Sequence, residues 1–178
     1  MLSCDEYKKL PKEEQSKEIY AYFGLSIYHF QVLEYQLINM ILVYYKSKNI
    51  KMTPDEYDDV FRSYSDKTMG KLVEKVTTLY NINDTDKGSL WEILKKRNFF
   101  AHHFFKDRSM KWYSIEGRFE MIREIDEIVT HTMELDRKLE LLIQPLFEKF
   151  GITQDYLDSL MGKMRKGEYE HDNLYFES

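Results

Sequence analysis

The chain has 178 residues, of which 43% are hydrophobic and 32% are charged, with only 7 glycines and 3 prolines. This length suits one domain with a continuous core, and the composition excludes a disordered chain and favours helices. The formal net charge of -5 excludes attraction of an anion by overall charge, so an anion site requires a local positive patch.

Cysteine content and hydropathy restrict the cellular setting. The single cysteine, Cys4, excludes an intrachain disulfide framework and a cysteine-rich zinc site, and it favours a reducing environment. The N-terminal sequence is charged and lacks the apolar core of a signal peptide. The longest apolar run, residues 37–45, is far shorter than the roughly 20 residues that cross a bilayer. We therefore predict a cytoplasmic protein without a membrane contact.

The first long helix follows a polar segment. Residues 1–16 show no helical periodicity, so the predicted domain spans residues 17–165 as a single helical bundle. Pro11 and the acidic residues behind it mark the helix entry. Glu34 lies either at the edge of the buried face or, as we favour, on the solvated flank. The apolar stripe recurs at helical spacing over about six turns: Phe23, Ile27, Phe30, Leu37, Ile41 and Tyr44.

Three shorter helices are predicted in the middle of the chain. Thr53 caps a helix over residues 54–64, and an apolar stripe over residues 69–79 predicts the next helix. Residues 81–88 have the composition of a turn. Ser89 then caps a helix with one apolar face, on which lie Leu90, Ile93, Leu94, Arg97, Ala101 and Phe104.

The longest stripe runs over residues 115–146 and predicts a long helix that packs antiparallel against the first one. Pro145 is expected to bend or end this helix near Gly151. Thr153 caps a last amphipathic helix. Residues 166–178 are a polar tail whose end resembles a protease site used in expression tags. The prediction is an all-α, up-and-down bundle of about five or six helices, two of them long and antiparallel.

Segment 95–111 carries the candidate chemistry. Arg97 and His102 point about 140° apart on a straight helix, whereas Asn98 and His102 share a face. Either the helix ends or kinks near Ala101, or a second copy of the chain completes the site. A structural alternative is that the histidines and phenylalanines only pack and cap. Only Asp107 opposes the cations of the segment, which are Lys95, Lys96, Arg97, Lys106, Arg108 and Lys111.

The string Arg97-Asn98-Phe99-Phe100-Ala101-His102 resembles the R-N-x-x-x-H signature of the HEPN (higher eukaryotes and prokaryotes nucleotide-binding) superfamily. In that superfamily a bundle of four or five helices carries the arginine and histidine near the end of a late helix. One more long helix usually follows. The chain matches in the polar residue after the arginine, in the alanine before the histidine and in the late position.

The resemblance implies a metal-independent endoribonuclease without a cofactor, of the toxin or defence type, acting on RNA as a homodimer whose two motifs face each other. His102 would move the proton, Arg97 would stabilise the charge of the crowded phosphate, and Asn98 would orient the phosphate or His102 by hydrogen bonds. The RNA backbone would be held by Lys96, His103, Lys106 and Arg108.

Some members of the superfamily are toxins paired with a nucleotidyltransferase antitoxin that modifies a tyrosine two residues after the histidine. This chain has Phe104 at that position. An antitoxin or other regulatory protein therefore stays a candidate partner, but modification of a tyrosine at this position is not expected.

Two alternatives compete with the nuclease. A noncatalytic HEPN-like module would bind nucleotide, RNA or a partner protein, with Arg97 paired to Glu34 or another carboxylate and His102 serving a structural role. A metal site is not predicted, because the adjacent His102 and His103 project about 100° apart on a helix. No H-x-x-x-H pair accompanies them.

Overall fold

The computed structural model describes residues 3–48 and 53–167. In these ranges the chain is helical throughout its regular structure and contains no strand, which confirms the all-α class. Residues 49–52, before Thr53, and residues 168–178 of the predicted tail lie outside the described residues. The helices are α1 (Cys4–Lys9), α2 (Lys12–Ser47), α3 (Pro54–Ser65), α4 (Met69–Leu79), α5 (Asp84–His102), α6 (Phe104–Asp107), a 3-10 turn (Lys111–Tyr113), α7 (Ile115–Lys149) and α8 (Gln154–Arg165).

The two long helices, α2 and α7, form the most extensive contact of the fold. Near their N-terminal ends, Arg118 donates to Gln15 Oε1 at 2.6 Å. At their C-terminal ends, the Lys46 ammonium lies 5.5 Å from the centroid of the Phe150 ring. The helices therefore run parallel, and the predicted antiparallel pairing is wrong.

The reason for the parallel arrangement is α5, which runs in the opposite direction between the two long helices. Phe100 of α5 packs on Phe23 of α2, while Arg97 of α5 meets Glu34 of α2, so rising residue numbers in α5 correspond to falling numbers in α2. A periodic apolar stripe predicts the length of a helix and the face that it buries, but it does not predict the direction of the neighbouring helix. The three helices run up, down and up.

The start of α5 also differs from the prediction. The Asn83 side chain accepts a hydrogen bond of 2.9 Å from the Asp86 amide, and the helix begins at Asp84. The predicted turn over 81–88 is therefore too long, and Ser89 lies inside the helix. Asparagine and aspartate are typical both of turns and of the first turn of a helix, which explains the error.

The polar N-terminal segment contains α1, which the sequence pattern did not indicate because the helix is too short for periodicity. Ser3 and Glu6 form a capping box. Tyr7 is fully buried, and its hydroxyl donates to the Gln15 carbonyl at 2.9 Å. The buried Arg118 also donates to the Trp112 carbonyl at 2.7 Å, so one guanidinium joins α2, the 3-10 turn and α7.

The helix boundaries of the C-terminal part agree with the sequence. Helix α7 continues through Pro145, ends at Lys149, and is followed by Gly151 with a φ of 77°, a region that favours glycine. Thr153 caps α8 by accepting from the Tyr156 amide at 3.2 Å. None of the α8 residues is buried. Most of the buried apolar side chains lie on α2, α4, α5 and α7.

Candidate functional site

Phenylalanines fix the C-terminal half of α5 against α2. The rings of Phe100 and Phe104 stack with centroids 4.7 Å apart, and both rings contact Phe23. Phe30 meets Phe100 edge to face at 5.8 Å. These rings are buried or half-buried, so they serve packing, as the structural alternative expected.

The break predicted near Ala101 is present, one residue later. Helix α5 ends at His102, and His103 takes φ -131° and ψ -21° before α6 begins. The break does not bring His102 to Arg97. His102 is exposed, and its ring contact is with the neighbouring His103, at 6.2 Å between centroids. Within one chain, the structure groups Arg97 with Asn98 and leaves His102 apart.

Arg97 lies between two polar partners. Its Nη1 donates to Asn98 Oδ1 at 3.2 Å, and its Nη2 lies 3.7 Å from Glu34 Oε1. The second distance is an ion pair that is too long for a hydrogen bond. This contact is the one that the noncatalytic alternative predicted. The side chains of Arg97 and Glu34 stay 36% and 23% exposed, so the pair is open to solvent on one side.

Burial is the main influence on the pKa of the Glu34 carboxyl. Desolvation raises its pKa above the ordinary value, and the charge of Arg97 offsets this effect only in part. Glu34 accepts no hydrogen bond from the part of the chain that the structure describes. The favoured expectation of a solvated flank is therefore wrong, and Glu34 lies at the edge of the buried face.

Arg97, Asn98 and Glu34 line a cleft of about 660 Å³. The cleft lies between α2, α5 and the connection from α3 to α4. Tyr35 forms part of the wall, and its ring stacks on Phe61 with 6.2 Å between centroids and 6° between planes. The remaining lining residues are Gln31, Ile38, Ser65, Asp66, Lys67, Thr68, Met69, Gly70, Leu72 and Leu94.

The outer face of α5 continues from this cleft. Trp91, Lys95, Asn98 and His102 recur at helical spacing, and all four are exposed. Asn98 lines the cleft and also lies on this face. This agrees with the prediction that Asn98 and His102 share one face of the helix. Trp91 and Tyr35 were not predicted as site residues. Counting back from His102 by helical steps would have found Trp91, but no local signal indicated Tyr35.

The four protein residues that were predicted to hold the RNA backbone lie in different environments. Arg108 donates to both Glu124 oxygens, at 2.7 and 2.6 Å, and its guanidinium lies 5.2 Å from the Phe99 ring centroid. Its positive charge is therefore neutralised by Glu124 within the chain. Lys96 is half-buried, whereas His103 and Lys106 are exposed.

Carboxylates from other helices reduce the positive charge of segment 95–111. Glu34 approaches Arg97, Glu124 binds Arg108, and Glu120 lies 3.0 Å from the Lys111 ammonium. The sequence showed only Asp107 as an opposing charge, because the others come from α2 and α7. The positive patch is consequently smaller in the folded chain than in the sequence.

Metal and membrane sites were also sought within residues 3–48 and 53–167. In these ranges, no three His, Cys, Asp or Glu side chains gather in a group that could hold a metal ion. No described helix is both long and apolar enough to span a membrane.

The fold and the cleft define an all-helical bundle with an arginine, an asparagine and a carboxylate at an open polar site. Comparison with protein-family models, curated proteins and solved structures finds no match to this chain.

Proposed function

We propose that this protein is a metal-independent endoribonuclease of the HEPN type that acts in the cytoplasm, as a toxin or defence effector, in the form of a homodimer. One observation carries the proposal. Arg97 and Asn98 lie together at an open cleft, and the exposed His102 lies one helical turn from Asn98 on the same helix face.

These three residue types suit attack of a ribose 2′-hydroxyl on the adjacent phosphate. His102 takes the proton of the attacking 2′-hydroxyl and returns a proton to the 5′-oxygen that leaves. Arg97 stabilises the negative charge that develops on the phosphate oxygens. Asn98 orients Arg97 through their hydrogen bond of 3.2 Å. The products are a 2′,3′-cyclic phosphate and a 5′-hydroxyl.

The separation of His102 from Arg97 within one chain calls for a second copy. In a dimer with two-fold symmetry, any contact of His102 with the partner's Arg97 occurs twice. Each active site then contains Arg97 and Asn98 of one protomer and His102 of the other. The exposed end of α5 leaves His102 accessible for such a contact.

A cleavage assay tests the chemistry. The purified full chain, with a chelator and without added metal, should cut single-stranded RNA. His102→Ala should abolish cutting, whereas His103→Ala, at an adjacent exposed histidine, should retain activity within about tenfold. Circular dichroism should show the same helical content in all three proteins. Equal cutting by the wild type and His102→Ala would contradict the proposal.

Mixing two inactive variants tests the shared site. Arg97→Ala and His102→Ala, unfolded together and refolded as an equal mixture, should recover about one quarter of the wild-type activity, since half of the dimers carry one intact site of two. Failure to recover activity, with dimers present by light scattering, would place the whole site within one chain.

The ion pair between Arg97 and Glu34 favours a second candidate function, a noncatalytic module that binds RNA or nucleotide. This candidate predicts no cleavage by the wild type or by His102→Ala. It also predicts an RNA affinity that falls with salt and with Lys106→Ala, since Lys106 is exposed. Cleavage by the wild type alone would exclude it.

A further inference from the structure

Glu34 places a carboxylate in the lining of a cleft that is expected to bind an anion. Its side chain is only 23% exposed, it accepts no hydrogen bond within the described residues, and its ion-pair distance to Arg97 is 3.7 Å. A desolvated carboxylate is stabilised when N–H groups approach its oxygens. A ligand with two neighbouring N–H donors would supply what the protein does not.

The rest of the cleft suits a flat, partly apolar ligand. Its volume of about 660 Å³ falls within the range of small-molecule sites. Ile38, Leu72 and Leu94 form an apolar part of the lining. The Tyr35 ring is held by its stack on Phe61 and is 56% exposed, so it offers an aromatic surface on which a base can stack.

We propose that this cleft binds an unpaired guanine of the RNA, with the Glu34 carboxylate accepting from the base and Tyr35 stacking on it. The inference rests on the proposed function, because Arg97 in the same cleft would contact the phosphate attached to that nucleotide. It adds a base preference that segment 95–111 does not contain, since both Glu34 and Tyr35 belong to α2.

The pattern of donors selects guanine among the four bases. Guanine places N1–H and the N2 amino group side by side, which matches the two oxygens of a carboxylate. Adenine and cytosine place a ring nitrogen acceptor beside their amino group, and uracil flanks its single N–H with two carbonyl oxygens. Those acceptors would face the carboxylate lone pairs and leave buried groups unpaired.

Equilibrium binding of the 3′-monophosphates of guanosine, inosine, adenosine, cytidine and uridine to the full chain tests the inference. Guanosine 3′-monophosphate should bind at least about tenfold more tightly than the adenosine, cytidine and uridine compounds. Inosine 3′-monophosphate, which lacks the N2 amino group, should lie between them. Isothermal titration calorimetry gives all five constants without any need for cleavage.

Two variants locate the preference. Glu34→Gln replaces one acceptor oxygen by an amide donor of the same size, and it should reduce the guanosine preference below about threefold. The matched control is Glu92→Gln, at an exposed glutamate of α5 that does not line the cleft, and it should retain the preference. Thermal melting of each variant verifies that it is folded.

Equal affinity for all five compounds would overturn the inference, as would an unchanged guanosine preference in Glu34→Gln. The second result would assign Glu34 only to the positioning of Arg97. These outcomes can be distinguished from failure of the nuclease proposal. A guanosine preference in a protein that cuts no RNA supports the cleft and rejects the cleavage, whereas cleavage without any preference does the reverse.

Discussion

Two arginine–glutamate pairs involve segment 95–111, and they differ in geometry. Arg108 donates two hydrogen bonds of 2.7 and 2.6 Å to Glu124, with its guanidinium over an aromatic ring. Arg97 approaches Glu34 only to 3.7 Å, beside an open cleft. A bidentate pair with short bonds consumes the directional donors of an arginine, whereas a long pair leaves them available to a ligand.

The two carboxyl groups differ in the same sense. Burial raises the pKa of Glu124, but the hydrogen bonds and charge of Arg108 more than offset it, so this pKa lies below its ordinary value. At Glu34 burial dominates over Arg97, and the pKa lies above its ordinary value. A carboxyl whose pKa is raised by burial is typical of functional sites, so the proposed function predicts that Arg108 stabilises the fold whereas Arg97 acts in the cleft.

The largest effect is expected from Arg97→Ala. Cleavage should fall by at least about 100-fold, because the developing phosphate charge loses its main partner. The free energy of unfolding should change by less than about 0.5 kcal/mol, as is typical for a partly exposed, long ion pair. Single-turnover cleavage and urea denaturation measure the two quantities. A stability loss without a cleavage defect would reverse the assignment of the two pairs.

A smaller effect, on stability, is expected from Arg108→Ala. The variant should lose about 2 kcal/mol in urea denaturation, because the Glu124 carboxylate stays half-buried without its hydrogen-bond partner. The double variant Arg108→Ala/Glu124→Ala should lose less than the sum of the two single variants. Additive losses would show that the bidentate pair does not couple the two side chains.

The smallest effect is expected in the acid dependence of stability. Glu124 has a folded-state pKa below that of the unfolded chain, so its stabilisation is present above the unfolded value of about 4.3 and is lost as pH falls through the folded pKa. Glu34 has a raised folded-state pKa, so protonation relieves its burial cost as pH falls. The two glutamates therefore contribute opposite slopes.

Urea denaturation between pH 3 and pH 7 measures these slopes. Stability should fall less steeply with acid in Glu124→Gln than in the wild type, and more steeply in Glu34→Gln. Identical slopes in the two variants would contradict the difference between the pairs.

Much of the helical framework was predictable because its signals are local. Thr53 and Thr153 cap helices where expected, since an N-cap side chain bonds to an amide only three residues along the chain. An end of α5 near Ala101 was one of the two alternatives that the sequence left open; the helix does end there, at His102, but without bringing His102 to Arg97. Asn83 was missed as a cap since its neighbours have the composition of a turn.

The candidate site was predictable only in part, for the same physical reason. The resemblance to the R-N-x-x-x-H signature singled out Arg97, Asn98 and His102 as candidates, and residue spacing placed Asn98 with His102 on one helix face. The difference between Arg97 and Arg108 was not accessible, since both are cations in one short segment and their partners, Glu34 and Glu124, come from α2 and α7.

The amino-acid sequence was sufficient for most of the longer helices and for the caps at Thr53 and Thr153, because each depends on neighbours within one or two helical turns. Contacts between distant parts of the chain settled the rest. The return of α5 makes α2 and α7 parallel, brings Glu34 to Arg97 and opens a cleft beside them. Periodicity does not encode such long-range packing, since one buried stripe can pack against a neighbour running in either direction.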